Sequence, residues 1–93
     1  MVLSVDIVKR HSKASESFSE EKLHASIVAA CMSVRTPVGQ AESIAKAVTN
    51  SVVMWLENRP EVTSYDVRKV AAKHLRSHHP DASYMYEQYK VII

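Results

Sequence analysis

The chain has 93 residues, 46% of them hydrophobic, with one glycine, three prolines and a single cysteine. That length and composition suit one compact, helix-rich domain and exclude an internal disulfide or a cysteine-rich zinc ribbon. Twelve Lys plus Arg against ten Asp plus Glu leave a net charge of +2, too small for bulk nucleic-acid or membrane binding.

The opening Met1-Val-Leu-Ser-Val-Asp brings in an acid at once and leads into no long apolar run. The expectation is no signal peptide, no membrane span and a cytoplasmic setting. Leu3, Val5 and Ile7 then alternate on one face of a strand, and Lys9 continues that face beyond its apolar part. The turn His11-Ser12-Lys13-Ala14 contains no glycine, so the chain is expected to return through Glu16 and Ser17 by a loose loop rather than a tight two-residue turn.

Helical signals follow immediately. Ser19 is an N-cap residue, Glu20 and Glu21 suit the positive end of a helix, and Phe18 and Leu23 occupy the two positions of a hydrophobic staple. A first helix is predicted over Glu20–Ser33, with Leu23, Ile27, Ala30 and Cys31 inward. A second, over about Gln40–Asn58, carries the clearest apolar stripe, from Ala41 through Ile44, Val48 and Val52 to Trp55 and Leu56. Pro60 stops it, and Glu61–Thr63 reads as an extended link or a short third strand. Thr63 with Asp66 reads as a cap for a third helix through Val67, Val70, Ala71 and Leu75. Ser77-His78-His79-Pro80 ends it, and Ala82, Met85, Tyr86, Tyr89 and Ile93 mark a fourth. The expected fold is therefore α+β: a small N-terminal antiparallel β-hairpin, with or without a third strand, packed on a four-helix bundle in a single domain, residues 1–93.

Lys22 can lie near Lys9 and Arg10, so three cations converge beside Ile7, Phe18 and Leu23. Cations for phosphates and apolar walls for a base suit a nucleotide. Each of these residues also has a plainer reading: Lys9 and Arg10 as a solvated strand end, Ile7, Phe18 and Leu23 as core, Glu16 as a solvated strand residue. His74, His78 and His79 lack a carboxylate or thiol pattern to complete a metal site and suit a helix C-terminus. Arg68, Lys69, Lys73 and Arg76 read first as a solvated helix face, with nucleic acid or an acidic partner as the alternatives. Tyr84, Tyr86 and Tyr89 divide between core and rim. There is no Gly-rich phosphate loop and no Cys-His or Ser-His-Asp arrangement, which points to binding rather than catalysis.

A strand ending in Lys9-Arg10, then Glu16, Phe18 and a helix opening with Lys22-Leu23 resembles the ATP-cone family. Ser26-Ile27 and Ala30, Val62-Thr63-Ser64 before Asp66-Val67, and Tyr86-x-x-Tyr89-Lys90 follow in the family's order, so the likeness spans nearly the whole chain. The sequence departs from it at His11-Ser12, where members commonly have Asp-Gly, and in an extra residue before Glu16.

The resemblance implies an allosteric module that senses ATP against dATP and answers by changing oligomeric contacts. In its better-known settings it is fused to the ribonucleotide reductase large subunit or to a zinc ribbon in a repressor of the reductase genes. With one cysteine, neither fused part is expected here, and the reading is a stand-alone cone. Carried onto this sequence, Lys9, Arg10 and Lys22 would hold phosphates, Ile7, Phe18 and Leu23 would flank the base, and Glu16 would read its edge. Ser19 at the helix start and Ser64 complete the set, with Lys90 as a weaker candidate. Magnesium would arrive with the triphosphate, no dedicated protein ligand for it being legible. The implied partners are an adenine nucleotide, further copies of the chain and a protein in nucleotide metabolism or transcription. The competing reading is a helical interaction or nucleic-acid-binding regulator that has lost nucleotide binding.

Overall fold

The computed structural model describes residues 6–8, 15–57, 59 and 61–88, with side chains for 18–57, 59 and 61–88. Its elements run β1 (Asp6–Val8), β2 (Ser15–Ser17), α1 (Glu20–Ser33), α2 (Val38–Leu56), β3 (Glu61–Thr63), α3 (Ser64–His78) and α4 (Pro80–Gln88).

The expected α+β architecture, a hairpin packed on a helical bundle, is corrected by these proportions. Among the residues with described side chains 83% are helical, in four helices, and β3 is the lone strand. The backbone of β1 and β2 adds two further three-residue segments, and the three strands stand in the order β2-β1-β3. β1 is antiparallel to β2 and parallel to β3, and the strands meet the helices chiefly through β3 and α3. The physical reason is burial. Strands this short have few side chains to cover a bundle, and every buried core residue except Phe18 and Val62 lies on a helix.

The helices close around one another in a ring, α1 against α2 and α4, and α3 against α2 and α4. The apolar stripe of α2 supplies Ala41, Ile44, Ala45, Val48, Val52 and Leu56 to the core. At roughly 1.5–3 kcal/mol for each large aliphatic side chain taken out of water, this stripe is the main source of cohesion. α2 begins two residues earlier than its pattern suggests, because Pro37 at φ −57° takes the cap position and its carbonyl accepts from Ala41 N–H at 2.9 Å. It ends at Leu56. The guanidinium of Arg59 then lies over the Trp55 ring, 4.5 Å from its centre, and donates to the Trp55 carbonyl at 2.8 Å.

α1 ends with Arg35 at φ 63° while the Thr36 N–H reaches back to the Cys31 carbonyl at 3.1 Å. This is the six-residue closure usually given to glycine, here made by an arginine at a conformational cost. Polar contacts also tie the ring across elements, two of them at its turns and inner face. The Thr36 hydroxyl meets His79 Nε2 at 2.9 Å, joining the α1–α2 turn to the α3–α4 junction, and the Ser83 hydroxyl donates to the Ala72 carbonyl at 2.8 Å. No helix among the described residues is long and apolar enough to cross a membrane.

Candidate functional site

The sheet register decides what comes together. Asp6 stands opposite Ser17, the residue before Phe18 and Ser19, so the start of β1 lies beside the approach to α1. Val8 stands opposite Thr63, so the end of β1 lies beside the start of α3. Two helix N-termini, each the positive end of a peptide dipole, therefore border one small sheet, one at each end of β1. Ile7, Glu16 and Val62 form one row across it as Cα partners. The predicted residues Ile7 and Glu16 are thus cross-strand neighbours, while Lys9, Arg10 and Lys90 lie outside the described residues.

At the start of α1 the local chemistry is fully drawn. The Ser19 hydroxyl accepts the Lys22 N–H at 3.2 Å, and Phe18 and Leu23 are both buried in the core. Cap and staple together set the direction in which α1 leaves the sheet. Leu23 is 0% exposed, so in this conformation it holds the helix start in place and offers no surface to a ligand. Lys22 projects into solvent.

Which way Lys22 projects follows from helical geometry. Residues four apart share a helix face, so Lys22 lies above Ser26. Ser26 is buried, donates to the Leu23 carbonyl at 2.7 Å and meets the Tyr86 hydroxyl of α4 at 3.2 Å. Lys22 therefore sits on the side of α1 that faces α4. Burial pushes the Tyr86 phenol above its ordinary value, while the Ser26 hydrogen bond and the positive charge of Arg68 oppose the shift. Arg68 is thus close enough to be felt at the phenol, and it stands one helical turn beyond Ser64, the first residue of α3.

Ser26, Tyr86 and Arg68 thus form a polar group of α1, α4 and α3, and the predicted residues Lys22 and Ser64 stand one helical turn before Ser26 and Arg68 respectively. Sequence reasoning had placed Ser26 only as a family-order signal, Tyr86 between core and rim, and Arg68 in a basic run. The spacing Ser64 to Arg68 and Lys22 to Ser26 is the one hint in the sequence, and it does not show that Ser26 and Arg68 both act on Tyr86.

The opening of α3 differs from that of α1. The Thr63 hydroxyl accepts the Asp66 N–H at 3.0 Å, and the Asp66 carboxylate accepts the Thr63 N–H at 3.1 Å. This reciprocal box places a carboxylate at the helix start and leaves Ser64 half-buried beside it. A second concavity, about 330 Å³, lies between α1 and α2 and is bordered by Glu20, Glu21, His24, Lys46, Thr49 and Asn50. It is on the α2 side of α1 and belongs to neither of the predicted phosphate contacts described. Among the described residues no three of His, Cys, Asp and Glu gather as a metal site.

Compared with known proteins, residues 6–90 match the family model of the ATP cone domain. No curated protein and no solved structure matches the chain.

Proposed function

The chain belongs to the ATP-cone family, whose domains are nucleotide-binding regulatory modules, and on that premise we propose that it binds an adenine nucleotide, ATP or dATP, where the starts of α1 and α3 open beside the sheet. The observation that carries the reading is Lys22 in the first turn of α1: the Ser19 hydroxyl accepts its backbone N–H, and its exposed cation stands one turn before Ser26, which meets Tyr86 of α4. Lys22 supplies a charge-assisted hydrogen bond to a phosphate, in company with Lys9 and Arg10 of the sequence pattern. Ser64 contributes a hydroxyl from the α3 start. Ile7 and Phe18 form the apolar side for the base, Leu23 supports it from beneath, and Glu16, the cross-strand partner of Ile7, accepts from the exocyclic amine. Magnesium enters with the triphosphate, coordinated by its oxygens.

The module performs no chemical step. Binding at two helix starts and a sheet couples three elements that make few other contacts with one another, so the ligand favours the arrangement in which they are closed together. The consequence is a change in self-association or in a partner protein of nucleotide metabolism or transcription.

Isothermal titration of the 93-residue chain with ATP, dATP and GTP tests this. The expected result is saturable adenine-nucleotide binding, weakened about tenfold or more by Lys22→Ala, and a size change on binding seen by light scattering. Equal binding of GTP and ATP would remove the adenine reading, and heats unchanged by Lys22→Ala would remove the site.

A further inference from the structure

Beyond Arg68, the basic run on α3 and the groove beside it have no part in the nucleotide reading. α3 carries Arg68, Lys69, Lys73 and Arg76 against one acid, Asp66, whose carboxylate is engaged in the capping box. That is four of the chain's twelve Lys and Arg on one helix, so a chain with little net charge has a strongly positive side. Tyr65, Lys69 and Arg76 follow one another at helical spacing along a single stripe, with Lys73 at its edge. The stripe borders a groove of about 300 Å³ between α3 and α4, lined by Tyr65, Arg68, Lys69, Ala72 and Glu87.

Two further facts mark this face. Tyr65, which lines the groove, is 50% exposed although it is a large aromatic side chain, and Tyr84 of α4 is 63% exposed. Arg76 is matched by Glu87 across the groove at 2.9 Å, whereas Lys69 and Lys73 have no carboxylate partner among the described residues. An exposed aromatic with cations around a concavity is the composition of a protein-docking surface rather than of a solvated helix face.

We propose that the α3–α4 groove docks an acidic segment of a protein partner, whose carboxylates pair with Lys69 and Lys73 while one apolar side chain enters the groove against Tyr65. Charge complementarity selects this occupant: the free cations ask for carboxylates, and the groove has room for a side chain. Lys22 and Ser64 do not line this groove, and Arg68 is the residue it shares with the polar group beside the nucleotide site, so the test uses Lys69 and Lys73 alone.

The probe is a fluorescein-labelled peptide of Glu and Ala with one central Leu. Its counterpart with Lys for Glu and a DNA oligonucleotide of equal charge are the controls. Anisotropy should show the Glu peptide alone binding, with affinity falling as salt rises. Amide NMR should place its shifts at Tyr65, Lys69, Lys73 and Tyr84. The double variant Lys69→Glu, Lys73→Glu should weaken binding at least about tenfold, and Lys69→Arg, Lys73→Arg should restore it. An unchanged circular dichroism spectrum and ATP titration in the Glu variant show that fold and nucleotide site are intact. The proposal is overturned if the Glu peptide fails to bind or shifts other residues, if the DNA binds this face more tightly, or if light scattering shows the face taken by a second copy. Loss of ATP binding in the wild-type chain would instead sink only the nucleotide reading.

Discussion

The starts of α1 and α3 are built on one frame and differ in their first turns, Glu20-Glu21-Lys22 against Ser64-Tyr65-Asp66. Each helix follows a short strand. Each has a hydroxyl at its cap, Ser19 and Thr63, and a buried apolar pair before and after it, Phe18 with Leu23 and Val62 with Val67. At the third helical position α1 has Lys22 and α3 has Asp66. Asp66 turns back and closes its helix start, while Lys22 points away into solvent and leaves the backbone N–H of Ser19 without a side-chain partner from that position. The comparison teaches that local stability and anion binding compete for the same residue. One start is sealed by a carboxylate, and the other keeps an exposed cation, the proposed phosphate contact, next to Glu20 and Glu21.

Breaking the shared frame should have the largest effects. Leu23→Ala removes a fully buried side chain and should lower the unfolding free energy in urea by about 3 kcal/mol, and Val67→Ala, its equivalent in α3, by about 2 kcal/mol. A smaller loss for Leu23 than for Val67 would mean that the α1 start is not anchored as described. Removing the cap should be costlier at the sealed start. Thr63→Ala leaves Asp66 without its reciprocal partner and should cost about 1–2 kcal/mol, against about 1 kcal/mol for Ser19→Ala, measured by the same denaturation.

The sharpest test exchanges the residue at the third helical position. Lys22→Glu would convert Ser19-x-x-Lys22 into the same reciprocal box as in α3, raising stability by about 0.5–1 kcal/mol while removing the proposed phosphate contact. A more stable chain that no longer binds ATP is the expected outcome, read by thermal unfolding and titration on one sample. A more stable variant that still binds would locate the phosphates elsewhere. Arg35→Gly, which relieves the φ of 63° at the end of α1, should stabilise by about 0.5–1 kcal/mol and leave binding alone.

Alkaline pH gives a last and smaller contrast. Burial raises the Cys31 thiol above its ordinary 9.0 and the Tyr86 phenol above its ordinary 10.0. Both groups are neutral when protonated, so the unfolded chain loses its protons first as pH rises. The contribution is therefore complete below about pH 9 and declines above it, through the folded values. Tyr86→Phe should flatten the steeper part of that decline, beyond pH 10, and urea midpoints across the alkaline range would show whether it does.

Much of this was legible because it is local. Helix starts depend on residues three and four apart, so Ser19, Thr63 and Asp66 could be placed from spacing alone, and the α2 stripe from its period. The alternation of Leu3, Val5 and Ile7 misled on proportion: it suggested a hairpin as one layer of the fold, whereas the described strands are three residues each and the core is helical. Alternation reports which face of a strand is apolar, not how much of a fold the strand covers.

By itself, then, the sequence determined where the helices begin, which stripe of α2 is buried, that one helix start ends in a cation and the other in a carboxylate, and the order of motifs that marks the family. Only the tertiary structure decided that β1 runs beside both helix starts, that Ser26 of α1 meets Tyr86 of α4 next to Arg68, that Leu23 is sealed inside, and that the basic side of α3 borders a groove. The division has a single physical cause. Hydrogen bonds and side-chain spacings within one helix are set by its own few residues, whereas contacts between helices depend on which apolar faces find each other, and that is settled by the packing of the whole chain at once.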